Sequence, residues 1–170
     1  DMESAYAIPQ EFDAPACVII KHANPCGFGL GDNAMEAYER AVSTDPVSYF
    51  GGIVGFNRQV DKTTAQALVK PFLECIIAPS FSNKAGEILK NKKNLRVISV
   101  DEGYHEDSIS IKSVAGGYLF QNKDSLHEGI NNLNIVTKRK PTDNEYIAMD
   151  LGWKLVRQVK SNAIVLSDKT

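Results

Sequence analysis

Pro15-Ala16-Cys17-Val18-Ile19-Ile20-Lys21-His22 is the stretch that decides the fold. The first six residues carry no polar side chain and end in three β-branched ones. An apolar run this short and this branched predicts a strand buried on both faces of a sheet. Upstream, Glu3 to Phe12 predicts a short helix, weakened by Pro9 inside it. Downstream, Lys21 to Gly31 is rich in glycine and polar groups and predicts a long loop. Asp32 or Asn33 then caps a helix to about Val42, with Ala34, Ala37, Tyr38 and Ala41 at helical spacing.

The same alternation continues along the chain. Asp45-Pro46 closes the second helix, and Tyr49 to Phe56 reads as a strand punctuated by glycines. Those glycines imply close approach by another backbone or by a ligand. Asp61 caps a helix with Ala65, Leu68, Val69 and Phe72 on one stripe. Cys75 to Pro79 is a second buried strand, Ser82 to Lys92 a helix, and Leu95 to Val100 a strand. Asp101 to Ile111 reads as a polar loop, and Val114 to Phe120 as one more strand. This βα alternation predicts an α/β layer structure with a mainly parallel sheet and helices on its faces. Val18 to Ile20, Ile53 to Phe56, Ile76 to Ala78 and Val97 to Val100 are its expected strands.

Asn122 to Thr142 reads as a linker, in which Lys138-Arg139-Lys140 is a solvated basic run. Thr142-Asp143-Asn144-Glu145 is a capping box, and Ile147, Leu151, Leu155 and Val159 continue a helix from it. Ser161 to Leu166 then predicts a strand. Helix followed by strand also opens the chain, so this stretch reads as the start of a second, similar unit. The expected division is 1–122 for the first unit, 123–141 for the linker and 142–170 for the start of the second. A lone helix and strand cannot complete a sheet, so the chain reads as a fragment of something longer.

Composition bounds the function. The 170 residues are 43% apolar and 24% charged, with a formal net charge of −2. That is a globular domain able to bury its own core, without the basic surface that nucleic acid demands. No apolar run is long enough to span a membrane, and no signal peptide is visible at Asp1-Met2-Glu3-Ser4. Cys17, Cys26 and Cys75 are odd in number and widely spaced, which argues against a disulfide framework and for a reducing cytoplasm.

Chemistry concentrates at Lys21-His22, which the strand places at its carboxyl end, where open α/β sheets bind ligands. Histidine moves protons near neutral pH. A neighbouring lysine stabilises a developing oxyanion and discourages protonation of the imidazole. The simpler alternative is that both side chains merely cap a strand. Gly27-Phe28-Gly29-Leu30-Gly31 precedes a helix, as phosphate loops do. Its spacing is GxGxG, and six residues separate it from the strand, so it is no dinucleotide fingerprint. His22-Ala23-Asn24-Pro25-Cys26 echoes the zinc signature of nucleobase deaminases, but Asn24 stands at the glutamate position and the second cysteine is missing. No metal site is therefore expected. His105 and His127 read as surface residues.

Lys21-His22-Ala23-Asn24-Pro25-Cys26-Gly27 resembles the KHxNPCG motif of the AICAR transformylase family, found in bifunctional purine-biosynthesis enzymes that also carry IMP cyclohydrolase. The likeness continues in order through Phe50 to Ile53, Ile76 to Pro79, Val114 to Gly117, Thr137 to Pro141 and Lys160 to Ala163. The resemblance implies a cytidine-deaminase-like fold in two related subdomains. It implies formyl transfer from 10-formyltetrahydrofolate, a folate co-substrate, to the 5-amine of AICAR ribonucleotide. His22 would manage the proton of the attacking amine and Lys21 would stabilise the oxyanion. Gly51, Glu74 and Asn162 would contact the nucleotide, Glu74 standing where some members have Asp. A homodimer with active sites shared between subunits is implied too.

The family's GAGQxSR and RYGxNPHQ segments are absent from this chain, as are the cyclohydrolase domain and the folate-binding region. The chain alone is therefore expected to be inactive. Two other readings stay open on the residues: a nucleotide-binding α/β module and a non-catalytic interaction domain.

Overall fold

The computed structural model describes residues 1–100, 109–124, 129–130 and 133–170. Helix α1 (Met2–Gln10) leads into strand β1 (Ala16–Lys21). Ile19 and Cys17 face one side of the sheet; Ala16, Val18 and Ile20 face the other. That two-sided burial is why the run carries no polar residue. The chain then reverses over His22 and Ala23, and strand β2 (Asn24–Leu30) returns antiparallel along β1.

Helix α2 (Ala34–Thr44) starts at Asn33, whose side chain accepts a hydrogen bond from the Glu36 amide at 3.0 Å. Strand β3 (Ile53–Phe56), helix α3 (Lys62–Leu68), strand β4 (Cys75–Ala78), helix α4 (Asn83–Leu89) and strand β5 (Arg96–Ser99) follow as βα repeats. Asp61 and Ser82 cap α3 and α4 through the amides of Thr64 and Ala85. Strands β6 (Ile109–Val114) and β7 (Gly117–Asn122) form a separate hairpin, and helix α5 (Asp143–Val156) closes the regular structure.

The main sheet runs β2-β1-β3-β4-β5. Strands β3, β4 and β5 are parallel, while β1 is antiparallel to both β2 and β3. One core packs α2, α3 and α4 against Cys17, Ile19, Val54, Phe56 and Ile76. The other packs α1 and α5, through Ile8, Leu151 and Leu155, against Val18, Ile20 and Ile77. Asn57 ties the entry to β1 in place: its Oδ1 accepts from the Ala16 amide at 2.8 Å, and its Nδ2 donates to the carbonyls of Phe12 and Ala14.

Three expectations are corrected. First, the glycine-rich stretch read as a loop is the edge strand β2. Gly27, Gly29 and Gly31 all face α2, and a Cβ on Gly29 or Gly31 would lie 2.6 Å from the backbone of Ala37. The GxGxG spacing is thus a period-two face that lets a helix rest on a strand, not a cradle for phosphate. Pro25 is tolerated because it sits on an edge strand, where the register to β1 shifts between Ile19 and Ile20.

Second, Val114 to Phe120 is not one strand but the tip of the β6–β7 hairpin, turning at Ala115 and Gly116, the latter with φ 87°. Third, Ser161 to Leu166 forms no strand: no ladder partner lies beside it among the described residues, and only Val165 packs on a core. His105, His127 and most of the expected polar loop fall outside the described residues.

Lys138 to Lys140 is exposed as expected, but Arg139 also pairs with both carboxylate oxygens of Glu145, at 2.7 and 2.8 Å. Glu145 accepts from the Thr142 amide as well, completing the capping box. Together these hold its carboxyl at about 2, below the usual 4.5, with the Arg139 guanidinium the largest cause. A depressed carboxyl stabilises the folded form above its unfolded pKa and loses that contribution as pH falls through the folded one. The helix start of α5 should therefore be protected above pH 4.5 and loosen between 4.5 and 2. An NMR titration of the Glu145 carboxyl with a midpoint near its unperturbed value would refute the pairing.

Candidate active site

The reversal of the chain between β1 and β2 makes the site. Lys21 pairs with Asn24, so only His22 and Ala23 bridge the two strands. Their φ angles are 54° and 62°. Two consecutive left-handed residues are the geometry of a tight hairpin turn that favours Asn-Gly. Neither His nor Ala fits it freely, and each costs about 1–2 kcal/mol there. The long β1–β2 ladder over-determines the turn, and its product is an exposed imidazole beyond the end of the sheet.

Because β1 is antiparallel to β3, its carboxyl end lies beside the amino ends of β3 and β4. The expectation of a site at strand carboxyl ends holds for β1 alone. Lys21 reaches across this end, and its Nζ donates to the Phe50 carbonyl at 2.6 Å. Gly51, next in sequence, has φ 71° and donates its N–H to the Phe72 carbonyl at 2.9 Å. The Glu74 amide donates to the Gly52 carbonyl at 3.1 Å. Lys21 and Glu74 are thereby held to the neighbours of Gly51, Lys21 through its side chain to Phe50 and Glu74 through its backbone to Gly52, at one sheet end, with His22 on the adjoining turn.

Asn162 is held to the same region indirectly. The Lys160 amide donates to Asn24 Oδ1 at 3.0 Å, across 136 residues of sequence. Asn162 itself is exposed, and its Oδ1 accepts from the Ser161 hydroxyl at 3.0 Å.

Two residues at this end escaped the sequence reading. Arg96 opens β5 and donates both its amide, at 3.1 Å, and its guanidinium, at 3.5 Å, to the Glu74 carbonyl. Asn24 stands in the sequence as a departure from the deaminase pattern and as part of the KHxNPCG motif, but with no role of its own. No local signal could reveal either one, because their partners are 22 and 136 residues away.

The electrostatics disfavour a thiolate among the cysteines. Burial raises the Cys26 pKa and the Asp45 carboxylate raises it further, outweighing the Lys21 ammonium. Its Sγ donates to the Ile19 carbonyl at 3.5 Å. Cys17 and Cys75 are buried free thiols, and burial pushes both up. Asp45 is held low by the Ser48 side chain and by the amides of Ser48 and Val47. Among the described residues no cluster of His, Cys, Asp and Glu could hold a metal ion. No helix among them is long and apolar enough to cross a membrane.

A groove of about 590 Å³ runs beside β2, lined by Cys26, Phe28, Leu151, Leu155, Val159 and Leu166 among others. It includes none of Lys21, His22, Gly51, Glu74 or Asn162. The turn and the sheet end therefore mark the candidate site better than this groove, since they bring charged and hydrogen-bonding groups together.

Comparison with known proteins agrees with the motif. The chain is 50% identical over 167 residues to the bifunctional purine biosynthesis protein PurH of Thermoanaerobacter sp. (strain X514), covering 98% of this chain and 33% of that protein. It is 50% identical over 168 residues to the PurH protein of Bacillus cereus (strain ATCC 10987 / NRS 248), with the same coverage of each chain. The chain thus spans about a third of the length of these relatives.

Among solved structures, the apo dCMP deaminase from the cyanophage S-TIM5 overlaps 58% of this chain and 93% of its own, with a TM-score of 0.45 and 9% identity. Acinetobacter baumannii RibD, form 1, overlaps 49% of this chain and 28% of its own, with a TM-score of 0.42 and 20% identity. The AICARFT/IMPCHase bienzyme family matches residues 1–170. The chain, α/β in fold, belongs to the AICARFT/IMPCHase bienzyme family.

Proposed function

We propose that this chain is the part of an AICAR transformylase that carries Lys21 and His22, acting in purine (IMP) biosynthesis. The observation that carries the reading is the strained turn presenting His22 beside Lys21, at the sheet end shared with Gly51 and Glu74. The reaction transfers a formyl group from 10-formyltetrahydrofolate to the 5-amine of AICAR ribonucleotide. That amine is a weak nucleophile, because the imidazole ring and the carboxamide withdraw its electrons. As its nitrogen attacks the formyl carbon, His22 takes its proton, aided by the neighbouring carboxamide. Lys21 lies within reach of the same turn and stabilises the tetrahedral oxyanion. Collapse of that intermediate breaks the bond to the folate nitrogen, which leaves with a proton.

Gly51, Glu74 and Asn162 contact the nucleotide in this reading, the Glu74 carboxylate accepting from ribose hydroxyls or the amide. The 1–122 region forms a first subdomain, 123–141 a linker and 142–170 the start of a second. The complete enzyme is a cytoplasmic homodimer with sites shared between subunits.

The test compares the full-length protein with the 170-residue chain. Purified full-length protein should convert AICAR ribonucleotide in the presence of 10-formyltetrahydrofolate, followed by absorbance of the released tetrahydrofolate. The chain alone should show no turnover. Full activity of the chain alone would mean that the active site is misplaced here, and an inactive full-length protein would reject the formyltransferase reading itself.

A further inference from the structure

We propose that Asn24 is a positioning residue that fixes the Asn162 segment against the His22 turn, an inference resting on the formyltransferase reading above. Asn24 is the first residue of β2 and follows the turn directly. Its backbone is held by pairing with Lys21. Its side-chain oxygen accepts the Lys160 amide at 3.0 Å, two residues before Asn162. One residue thus touches both halves of the candidate site, on one side through the ladder that shapes the turn and on the other through a single directed hydrogen bond.

The approach of the Asn162 segment is fixed at a second point. Arg157 and Gln158 leave the end of α5 and both donate to the Glu11 carboxylate, each to a different oxygen. Arg157 also donates to the Asp124 carbonyl at 2.8 Å. The Glu11–Arg157 pair is largely withdrawn from solvent, with side-chain exposures of 15% and 17%. An ion pair so placed is less screened than one on the surface and holds its geometry more firmly. Glu11 follows α1, so this anchor belongs to the same body as β1.

Residue 158, through its side chain, and residue 160, through its amide, are therefore each tied to the first unit. Asn162 is exposed, and beyond Lys160 the segment forms no ladder among the described residues; it is next held where Val165 packs on the core and Ser167 Oγ donates to the Ala148 carbonyl at 2.7 Å. Asn162 is thus placed by ties on either side of it, the Lys160–Asn24 bond being the nearer in sequence, rather than by secondary structure. Removing the nearer tie loosens Asn162 while leaving Lys21 and His22 chemically unchanged. Loss of one such bond weakens nucleotide binding more than it slows the proton transfer, because the mobile contact is paid for on binding.

The experiment uses the full-length enzyme and three variants. Asn24→Ala should raise the KM for AICAR ribonucleotide roughly 10-fold, as expected for one directed hydrogen bond near a ligand, with kcat reduced less than KM is raised. Asn24→Asp keeps an oxygen acceptor and should restore KM to within about threefold of wild type. Amide exchange at Lys160, measured without nucleotide, should accelerate in Asn24→Ala and stay slow in Asn24→Asp. If Asn24→Ala does not fold, Glu11→Gln loosens the same segment from its other anchor and should raise KM in the same sense.

A wild-type KM in Asn24→Ala despite faster Lys160 exchange would overturn the positioning role. Unchanged exchange would overturn the tie itself. An equal fall in kcat at unchanged KM, not recovered by Asn24→Asp, would also overturn it in favour of a purely structural role. Wild-type enzyme with no turnover of AICAR ribonucleotide would instead sink the reading on which the proposal rests.

Discussion

Full-length protein carrying His22→Ala should transfer formyl groups ~10²–10⁴-fold more slowly than wild type, while its affinity for AICAR ribonucleotide changes by no more than a few-fold. A proton-transfer group acts mainly in the transition state, so its removal lowers kcat and kcat/KM together. The turn supports this division of labour. His22 stands exposed at a left-handed position, where the backbone sets the direction in which its side chain leaves the turn.

Lys21→Ala should cost roughly 10²–10³-fold if its ammonium stabilises the oxyanion. In the structure that ammonium rests on the Phe50 carbonyl, 2.6 Å away, beside Gly51. In the proposed reaction that ammonium would leave the Phe50 carbonyl for the developing anion. The double variant should lose less than the product of the single losses, since both residues serve one intermediate. Stopped-flow rates with saturating AICAR ribonucleotide measure all three. A His22→Ala enzyme running at the wild-type rate would remove the histidine from the chemistry.

The largest effect on stability is expected at Gly55. It sits in β3 under α1, and a Cβ there would collide with the carbonyl oxygen of Ala5 and lie 2.5 Å from its carbon. The obstacle is backbone, so no rotamer change relieves it. Either α1 lifts away or β3 bends, and both open the core around Ala5 and Ile8, which are fully buried. Overpacking that side chains can absorb costs about 1–3 kcal/mol. Here the cost should reach the upper end of that range or exceed it, roughly 3–5 kcal/mol, a large share of the roughly 5–15 kcal/mol of a typical domain.

Gly86→Ala is the control. It lies inside α4 with no atom within 4 Å of the added carbon. Replacing glycine by alanine within a helix stabilises by roughly 0.5–1 kcal/mol. Thermal unfolding of the full-length protein should therefore show a lower midpoint for Gly55→Ala and an equal or slightly higher one for Gly86→Ala. An undiminished midpoint for Gly55→Ala would mean that α1 does not rest on β3.

Much of this architecture is written in short-range patterns. Asn33, Asp61, Ser82 and Thr142 cap their helices through hydrogen bonds to residues three positions on. Such contacts depend on nothing distant, so the residues announce them. The apolar runs at 16–20 and 75–78 likewise declare strands with both faces covered. The glycines at 51–55 imply backbone approach, which Gly55 beneath α1 realises.

Other features lie beyond local reading. Gly27, Gly29 and Gly31 look like a loop because glycine and proline weaken strands, and only the arrival of α2 shows why they are needed. His22-Ala23 lacks the Asn-Gly signature of a tight turn, so the hairpin is invisible until the ladder closes around it.

The sequence marks out the candidate for the chemistry, Lys21-His22 at the end of a buried strand, and the kinds of element on either side of it. It also carried the family motif, because motif residues are contiguous. The tertiary structure alone decided which way β1 runs. An apolar run reads the same in both directions, so its pattern holds no information about strand polarity. Only the turn at 22–23 and the pairing of β1 with β3 set that direction. Antiparallel pairing turns the carboxyl end of β1 toward the amino ends of β3 and β4, and so brings Lys21 to Gly51 and Glu74. The bond from Lys160 to Asn24 spans 136 residues and exists because α5 docks on α1 and β1, a long-range packing event that no local periodicity encodes.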